Sequence, residues 1–454
     1  MRLRLHSFAL LLPLALMVAA PQKKAPPKRT PVRRAPVRRP TAAQLAQMAQ
    51  ARTVANEEIE ERLENRPATV VEGATALVPF FEQLRRVEQN EASGPLSVVQ
   101  FGDSHTAADE WTHTLRGAFQ LRFGDGGAGF VSAGRATYRR LDLRTANTAG
   151  WRLQGNMSQS SDGRHGMAGA SLTAVRPGET VTLSTPAKQI EVQFLRQPGG
   201  GALTLSADGR PLQTISTDGP EGFAFFSQTV GDASRVDLET SDDAPVRLFG
   251  FVSEKAHGVT YDQLGINGAQ ANIIDGWDAS IWVPQLARRS PGLIVLAYGT
   301  NDAGNRDYTH ESYKAMFAGV LAKLRQAVPT ASILVLGPPD RMYRMSPFPR
   351  LEMIAQAQRE AALEHGCAFW DLRERMGGAG AMRRWVVAGA AQGDYVHFTA
   401  AGYRLIGATL FNDLMEQYAT YLRVRDRVFT ATENGKTAEN SQNRTDGGQA
   451  ARLP

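Results

Sequence analysis

The sequence predicts an α/β domain with parallel strands, interrupted by a long antiparallel β-domain. Between residues 279 and 364, helical periodicity alternates with short apolar runs. SIWVPQLARRS is followed by PGLIVLAYGTND, HESYKAMFAGVLAKLRQAV, ASILVLGPPD and LEMIAQAQREAALEHG. Helix, strand, helix, strand in that order requires crossovers, and crossovers make the strands parallel. Residues 133–253 read differently. GETVTLST, KQIEVQFLRQ, GALTLSADGRPLQTIS and RVDLETSDDAPVRLFGFV alternate apolar and polar residues between Gly, Asp and Pro turns, the pattern of an antiparallel β-sandwich. That stretch is too long to be a loop.

The elements follow in order. Residues 1–20, MRLRLHSFALLLPLALMVAA, have a basic start, an apolar stretch and small residues Ala19 and Ala20, the layout of a secretory signal. Pro21 and the eight Lys or Arg of residues 21–40 oppose cleavage and export, so the segment is either a signal or an uncleaved anchor. Either way the protein is expected to be periplasmic, secreted or membrane-anchored. Residues 21–40 form a Pro-spaced basic linker, an extended spacer or an electrostatic tether to anionic envelope material. Residues 41–94 carry two helical stretches, with Leu77, Phe80, Phe81 and Leu84 on one face. Residues 95–132 begin the α/β domain with the strand SVVQFG and the helix AADEWTHTLRGAFQLRF. The glycines of FGDGGAGFV suit tight turns rather than a phosphate cradle, because no Lys–Ser/Thr pair follows them. The insert spans 133–253, the α/β domain resumes over 254–428, and residues 429–454 lack apolar periodicity and are expected to be disordered.

Charge excludes one class of partner. The net charge is +6, but ten Lys and Arg lie in residues 1–39 and no Asp or Glu precedes Glu57. Subtracting those ten leaves −4 for the rest, so no nucleic-acid groove is indicated. The single cysteine, Cys367, permits no intrachain disulfide and sits in the apolar CAFW as an expected core residue.

In parallel sheets, function gathers at the carboxyl ends of the strands, where Ser104, Asn301 and Asp340 all fall. A serine nucleophile needs a base, a group to orient that base and donors for the oxyanion. Ser104 is the candidate nucleophile. In GDYVHFTAAGY, His397 is the candidate base, and Asp394 stands three residues before it as the orienting carboxylate. Thr399 is placed to cap the helix from about Ala400 to Leu422. The backbone N–H groups of Ser104 and Gly268 and the amide of Asn301 are the candidate oxyanion donors. Asp103 and Asp302 read as loop-fixing groups.

These blocks resemble those of the SGNH/GDSL hydrolases: GDS at 102–104, the glycine of INGA, GTND at 299–302 and DYVH at 394–397, in the family's order. The resemblance covers about residues 95–131 and 255–422. It implies a flavodoxin-like three-layer α/β/α fold and an esterase triad of Ser104, His397 and Asp394. A β-sandwich between the serine and glycine blocks resembles the arrangement in bacterial peptidoglycan O-acetylesterases, where the inserted module is similar to a carbohydrate-binding domain. One departure is GDSH in place of the commoner GDSL, and it places His105 beside the nucleophile as a possible substrate contact.

The expected function is removal of O-acetyl groups from an envelope polysaccharide, with peptidoglycan the leading candidate, through an acetyl-serine and with no cofactor. A polysaccharide O-acetyltransferase using the same triad is the nearest rival, and a non-catalytic glycan-binding protein is a further one. His105, Asp109 and His113, spaced i, i+4, i+8 on one helix, offer a metal face as a rival reading, but no other ligand accompanies them. Trp111 and Tyr298 serve equally as core or as sugar platforms.

Overall fold

The computed structural model describes residues 40–65, 70–133, 140–155 and 161–446, with the side chains of the last helix described to residue 427. The expected signal or anchor and all but the final residue of the basic linker lie outside these. Among the described residues no helix is long and apolar enough to cross a membrane. The chain divides into two units, residues 1–47 and 48–454. Of the first, the described residues hold the start of the helix Ala42–Glu64. Thr41 caps it reciprocally: its hydroxyl accepts from the Gln44 N–H at 3.2 Å, and its own N–H donates to the Gln44 side chain at 2.9 Å.

In the second unit a six-stranded sheet runs in the order Val71–Glu72, Ala368–Trp370, Ser332–Leu336, Leu293–Ala297, Leu96–Gly102, Val259–Gly265. The last five are parallel and the first is antiparallel. Numbered along the chain, the parallel strands stand 2-1-3-4-5, the flavodoxin-like order. Strand periodicity divides the side chains between two cores. Val98, Val295, Leu334 and Trp370 meet Phe80, Leu115, Phe119 and Leu410 on one face. Val99, Phe101, Ile294, Leu296, Val335 and Phe369 meet Trp282, Leu286, Phe317 and Ile354 on the other. Helices therefore cover both faces, and the layering is α/β/α. Trp111, Tyr298 and Cys367 are all buried in these layers. For the two aromatics this settles core over sugar platform.

The insert is antiparallel, as its alternation predicts: nine strands in one hydrogen-bonded sheet. Its two longest strands, Thr180–Arg196 and Gly222–Thr240, pair along nearly their whole length, with register shifts between Thr229 and Arg235. The inward residues change parity there, from Val181 and Leu183 to Ile190, Val192 and Phe194, yet all join one core. A bulge does this, because one extra residue turns every later side chain to the other face. The sheet begins earlier than residue 133, since Gly129–Ser132 pairs with Val246–Glu254.

Four expectations are corrected. Residues 41–94 are not wholly helical: Val71–Glu72 adds an antiparallel edge strand, too short to show a period. The strand Val259–Gly265 has no counterpart in the sequence reading, because Thr260, Asp262 and Gln263 break its apolar run although all seven residues are buried. The helix after Ser104 is broken: Ser104–Ala107 ends, Asp109 adopts φ 57°, and Glu110–Phe123 starts anew. The tail expected to be disordered from 429 continues the helix Ala400–Asp446. No proline interrupts that stretch, and Gly447–Gly448 follows its end. Absence of an apolar stripe bears on packing, not on helical backbone.

The insert and the α/β body are fused. Phe130, Met167, Ala170 and Val252 belong to the same core as Trp282 and Leu286. Gln285 donates to the Gln193 side chain at 2.8 Å and accepts from the Met167 N–H at 2.6 Å. Buried Arg289 binds Asp262 and Glu254.

Candidate active site

Ser104 leaves the carboxyl end of the strand Leu96–Gly102, which lies between two parallel neighbours. A Cβ on Gly102 would stand 2.2 Å from the Thr106 hydroxyl and 2.8 Å from the Ala297 carbonyl, so only glycine lets the chain turn this tightly. Asp103 caps the following turn by accepting from the His105 N–H at 3.0 Å. Beneath it lies a buried polar network. Gln100 donates to the Thr106 hydroxyl at 3.1 Å, and Gln263 donates to the Thr106 carbonyl at 2.7 Å. The sequence reading missed Gln100 and Gln263; the available signal was a polar residue inside an apolar strand.

The second segment folds back on itself. Ala391 bridges Phe398, the Gln392 N–H donates to the His397 carbonyl at 2.8 Å, and Tyr395 adopts φ 59° to close the turn. Buried Phe398 packs against Trp385 and Tyr403, and the Thr399 hydroxyl accepts from the Gly402 N–H at 3.3 Å, the expected cap.

The two segments meet. His397 Nε2 lies 3.0 Å from Ser104 Oγ, and His397 Nδ1 lies 2.7 Å from Asp394 Oδ2. Asp394 Oδ1 accepts from the N–H groups of Val396 and His397, each at 3.0 Å. Partial burial alone would raise its pKa, but the His397 side chain and these N–H donors outweigh that, and the carboxyl is held below its ordinary value. An ionised Asp394 fixes the proton on Nδ1 and leaves Nε2 to accept from the serine hydroxyl. Such an arrangement can activate a hydroxyl and hold the imidazolium that results.

Asn301 joins the serine and glycine blocks: its amide lies 3.0 Å from the Ala269 carbonyl and 3.5 Å from Asp103 Oδ2. Gly268 has φ 77°, which disfavours any side chain there. Asp302 holds both loops, accepting from the N–H groups of Gly299 and Ala271, each at 3.0 Å. Burial raises its pKa. Burial, and then the charge of Asp302, push Asp103 up to about 7. Asp340 stays at the strand end but accepts from the Met382 N–H at 2.9 Å and faces Arg373, a structural position.

One expectation and one rival reading fail here. His105 is 1% exposed and cannot touch substrate. The short helix turns it inward, where Nδ1 meets the Tyr403 hydroxyl at 3.0 Å and its ring lies 5.3 Å from that of His397. The metal face built on His105, Asp109 and His113 is also lost, because the break at Asp109 separates His105 from the others. Asp109, His113 and Asp142 do approach one another, within 4.8 Å. Arg116 already binds both carboxylates, at 2.9 Å to Asp109 and 3.4 Å to Asp142.

Ser104 and His397 open into a cleft of about 1060 Å³. Ala107, Gln263, Asn267, Gln392 and Tyr403 line the body side, and Ser132, Arg140, Arg144, Thr145, Ala146 and Ser184 line the insert side.

Residues 227–405 match the GDSL-like Lipase/Acylhydrolase family. Those residues hold a GDSL-like acylhydrolase domain, which supports an esterase of the SGNH type. A solved structure of a peptidoglycan O-acetylesterase is similar at 28% identity and a TM-score of 0.67, over 75% of this chain and 96% of that one. A family two carbohydrate esterase from Clostridium thermocellum matches at 12% identity and a TM-score of 0.30, over 59% of this chain and 98% of that one. One from Cellvibrio japonicus matches at 12% and 0.28, over 62% and 99%. Scores that low carry no argument. No curated protein matches the chain.

Proposed function

We propose that the chain is a serine esterase that removes O-acetyl groups from an envelope polysaccharide, peptidoglycan above all. The observation that carries this reading is the run Ser104–His397–Asp394, hydrogen-bonded at 3.0 and 2.7 Å, at a cleft walled by the insert. Likeness to a peptidoglycan O-acetylesterase over most of both chains supports the substrate class.

His397 takes the Ser104 proton as Oγ attacks the acetyl carbonyl carbon. The N–H groups of Ser104 and Gly268 and the Asn301 amide receive the oxyanion. The imidazolium, held by Asp394, gives its proton to the departing sugar oxygen and leaves acetyl-Ser104. Water, deprotonated by His397, attacks the acyl carbon, and acetate leaves as the serine recovers its proton. His397 is 35% exposed, which gives water a path to the acyl-enzyme. A purely glycan-binding protein has no need of this aligned trio. We place its action outside the cytoplasm, with the basic linker associating with anionic envelope.

The test is acetate release from purified O-acetylated peptidoglycan, run beside an aryl acetate and acetylated xylan. Release from peptidoglycan by the native chain, absent in Ser104→Ala, is the expected result. No turnover of any of the three esters would sink the assignment.

A further inference from the structure

The cleft carries a charge that the proposed chemistry does not use. Among the described residues its lining holds two arginines, Arg140 and Arg144, and no Asp or Glu. Arg140 is occupied: its side chain is 4% exposed, pairs with Asp142 at 2.7 Å and donates to the carbonyls of Ala128 and Phe130 at 3.1 and 3.3 Å. Arg144 is exposed and makes no hydrogen bond or ion pair among the described residues.

Its position follows from strand register. Arg144 pairs with Ser184, and Ala146 with Thr182, on adjacent antiparallel strands. Directly paired residues share a face, and so do residues two apart. Val181 and Leu183 point into the insert's core, so Arg144, Ala146 and Ser184 share the outer face, and all three line the cleft. Ala146 and Ser184, its nearest neighbours on that face, are small, and pairing with Ser184 fixes its backbone on the cleft wall. A planar guanidinium in that setting matches a carboxylate through two parallel hydrogen bonds.

We propose that Arg144 binds a carboxylate on the glycan, so that the enzyme selects carboxylate-bearing acetylated glycans over neutral ones. This deepens the esterase reading and rests on it. Peptidoglycan, whose stem peptides carry free carboxylates, fits the requirement, whereas acetylated xylan does not. Contact remote from the ester adds binding energy that the reacting centre can use, but only for a substrate long enough to reach the insert.

Deleting the insert cannot test this, because the insert shares a core with the body; a point substitution can. Binding of acetyl-free disaccharide–tetrapeptide muropeptides to the full chain is measured by calorimetry for the native protein, Arg144→Gln and Arg144→Lys, with neutral chitooligosaccharides in parallel. Arg144→Gln is expected to weaken muropeptide binding about tenfold or more and to flatten its salt dependence. Arg144→Lys, which keeps the charge but loses the fork, falls between. Chitooligosaccharide binding stays the same in all three. Equal muropeptide affinity in the native protein and Arg144→Gln, no muropeptide binding by the native protein, or equal losses for neutral and acidic sugars would each overturn the proposal. Aryl acetate turnover, expected to be unchanged in both variants, separates the two readings. Its absence from the native chain removes the esterase while leaving the binding result to stand or fall alone.

Discussion

Ser104 follows a strand buried along its whole length, while His397 and Asp394 occupy a surface turn with side chains 35% and 45% exposed. The serine turn is fixed from beneath by Gln100, Thr106, Gln263 and Asp103. The histidine turn is fixed at its flanks, by Phe398 in the core and Thr399 at the helix start. The difference suits the roles proposed for each group. A nucleophile has to be held at one point against a carbonyl carbon, and packing does that best. In the proposed mechanism the base exchanges protons with a leaving group and with water, and burial would bar both. Two imidazoles 5.3 Å apart make the contrast sharp: His397 faces the cleft, and His105, one residue after the nucleophile, is sealed in the core.

The largest expected effect falls where the two turns meet. Ser104→Ala and His397→Ala are each expected to lower kcat on an aryl acetate by about 10⁴-fold or more, and Asp394→Asn by about tenfold to a hundredfold less than that. Ordinary turnover in folded Ser104→Ala would break the comparison at its centre. Next is Asn301→Ala. Losing one oxyanion donor costs roughly a hundredfold in kcat with little change in KM. A change confined to KM would make Asn301 a substrate-positioning group.

The smallest effect on turnover is expected from His105→Leu, which buries an apolar side chain in the same place. Burial, and then the neighbouring His397 charge, lower the His105 pKa to about 3; Asp394 opposes this, and Arg341 adds to it. Below pH 6.5 the unfolded chain takes up a proton at His105 that the folded chain refuses, so stability falls with pH until the folded pKa is reached. The native protein should therefore lose about 2 kcal/mol between pH 6.5 and pH 5 that His105→Leu keeps. Urea titrations at both pH values measure it. Identical pH dependence in the two proteins would place the acid-sensitive group elsewhere.

The fold and the triad were legible because both leave local marks. Periodicity marked the strands around Ser104 and Asn301, and short polar blocks at strand ends marked the site. What stayed hidden depends on partners far along the chain. His105 reads as a neighbour of the serine, and only the inward turn of Ser104–Ala107 buries it. Val259–Gly265 is a strand whose polar residues bond Arg289 and Thr106, from segments that no local window contains. Arg144 is unremarkable in LDLRTAN and gains meaning from pairing with Ser184.

The placement of the insert also bears on how a newly made chain reaches this fold. Val98 on the serine strand pairs with Tyr261 on one side and Leu293 on the other, both of which are synthesised only after the whole insert. Closing so long a loop incurs an entropy cost that rises with its length, and distant pairings slow folding. The insert's two ends are themselves hydrogen-bonded neighbours, Val131 to Phe251 and Ser132 to Gly250. Once its core has formed, the intervening chain behaves as a tight hairpin and delivers Val259–Gly265 beside the waiting strand. The insert's cleft wall would then double as an internal folding clamp, and lesions in its core would slow assembly of a site they never touch.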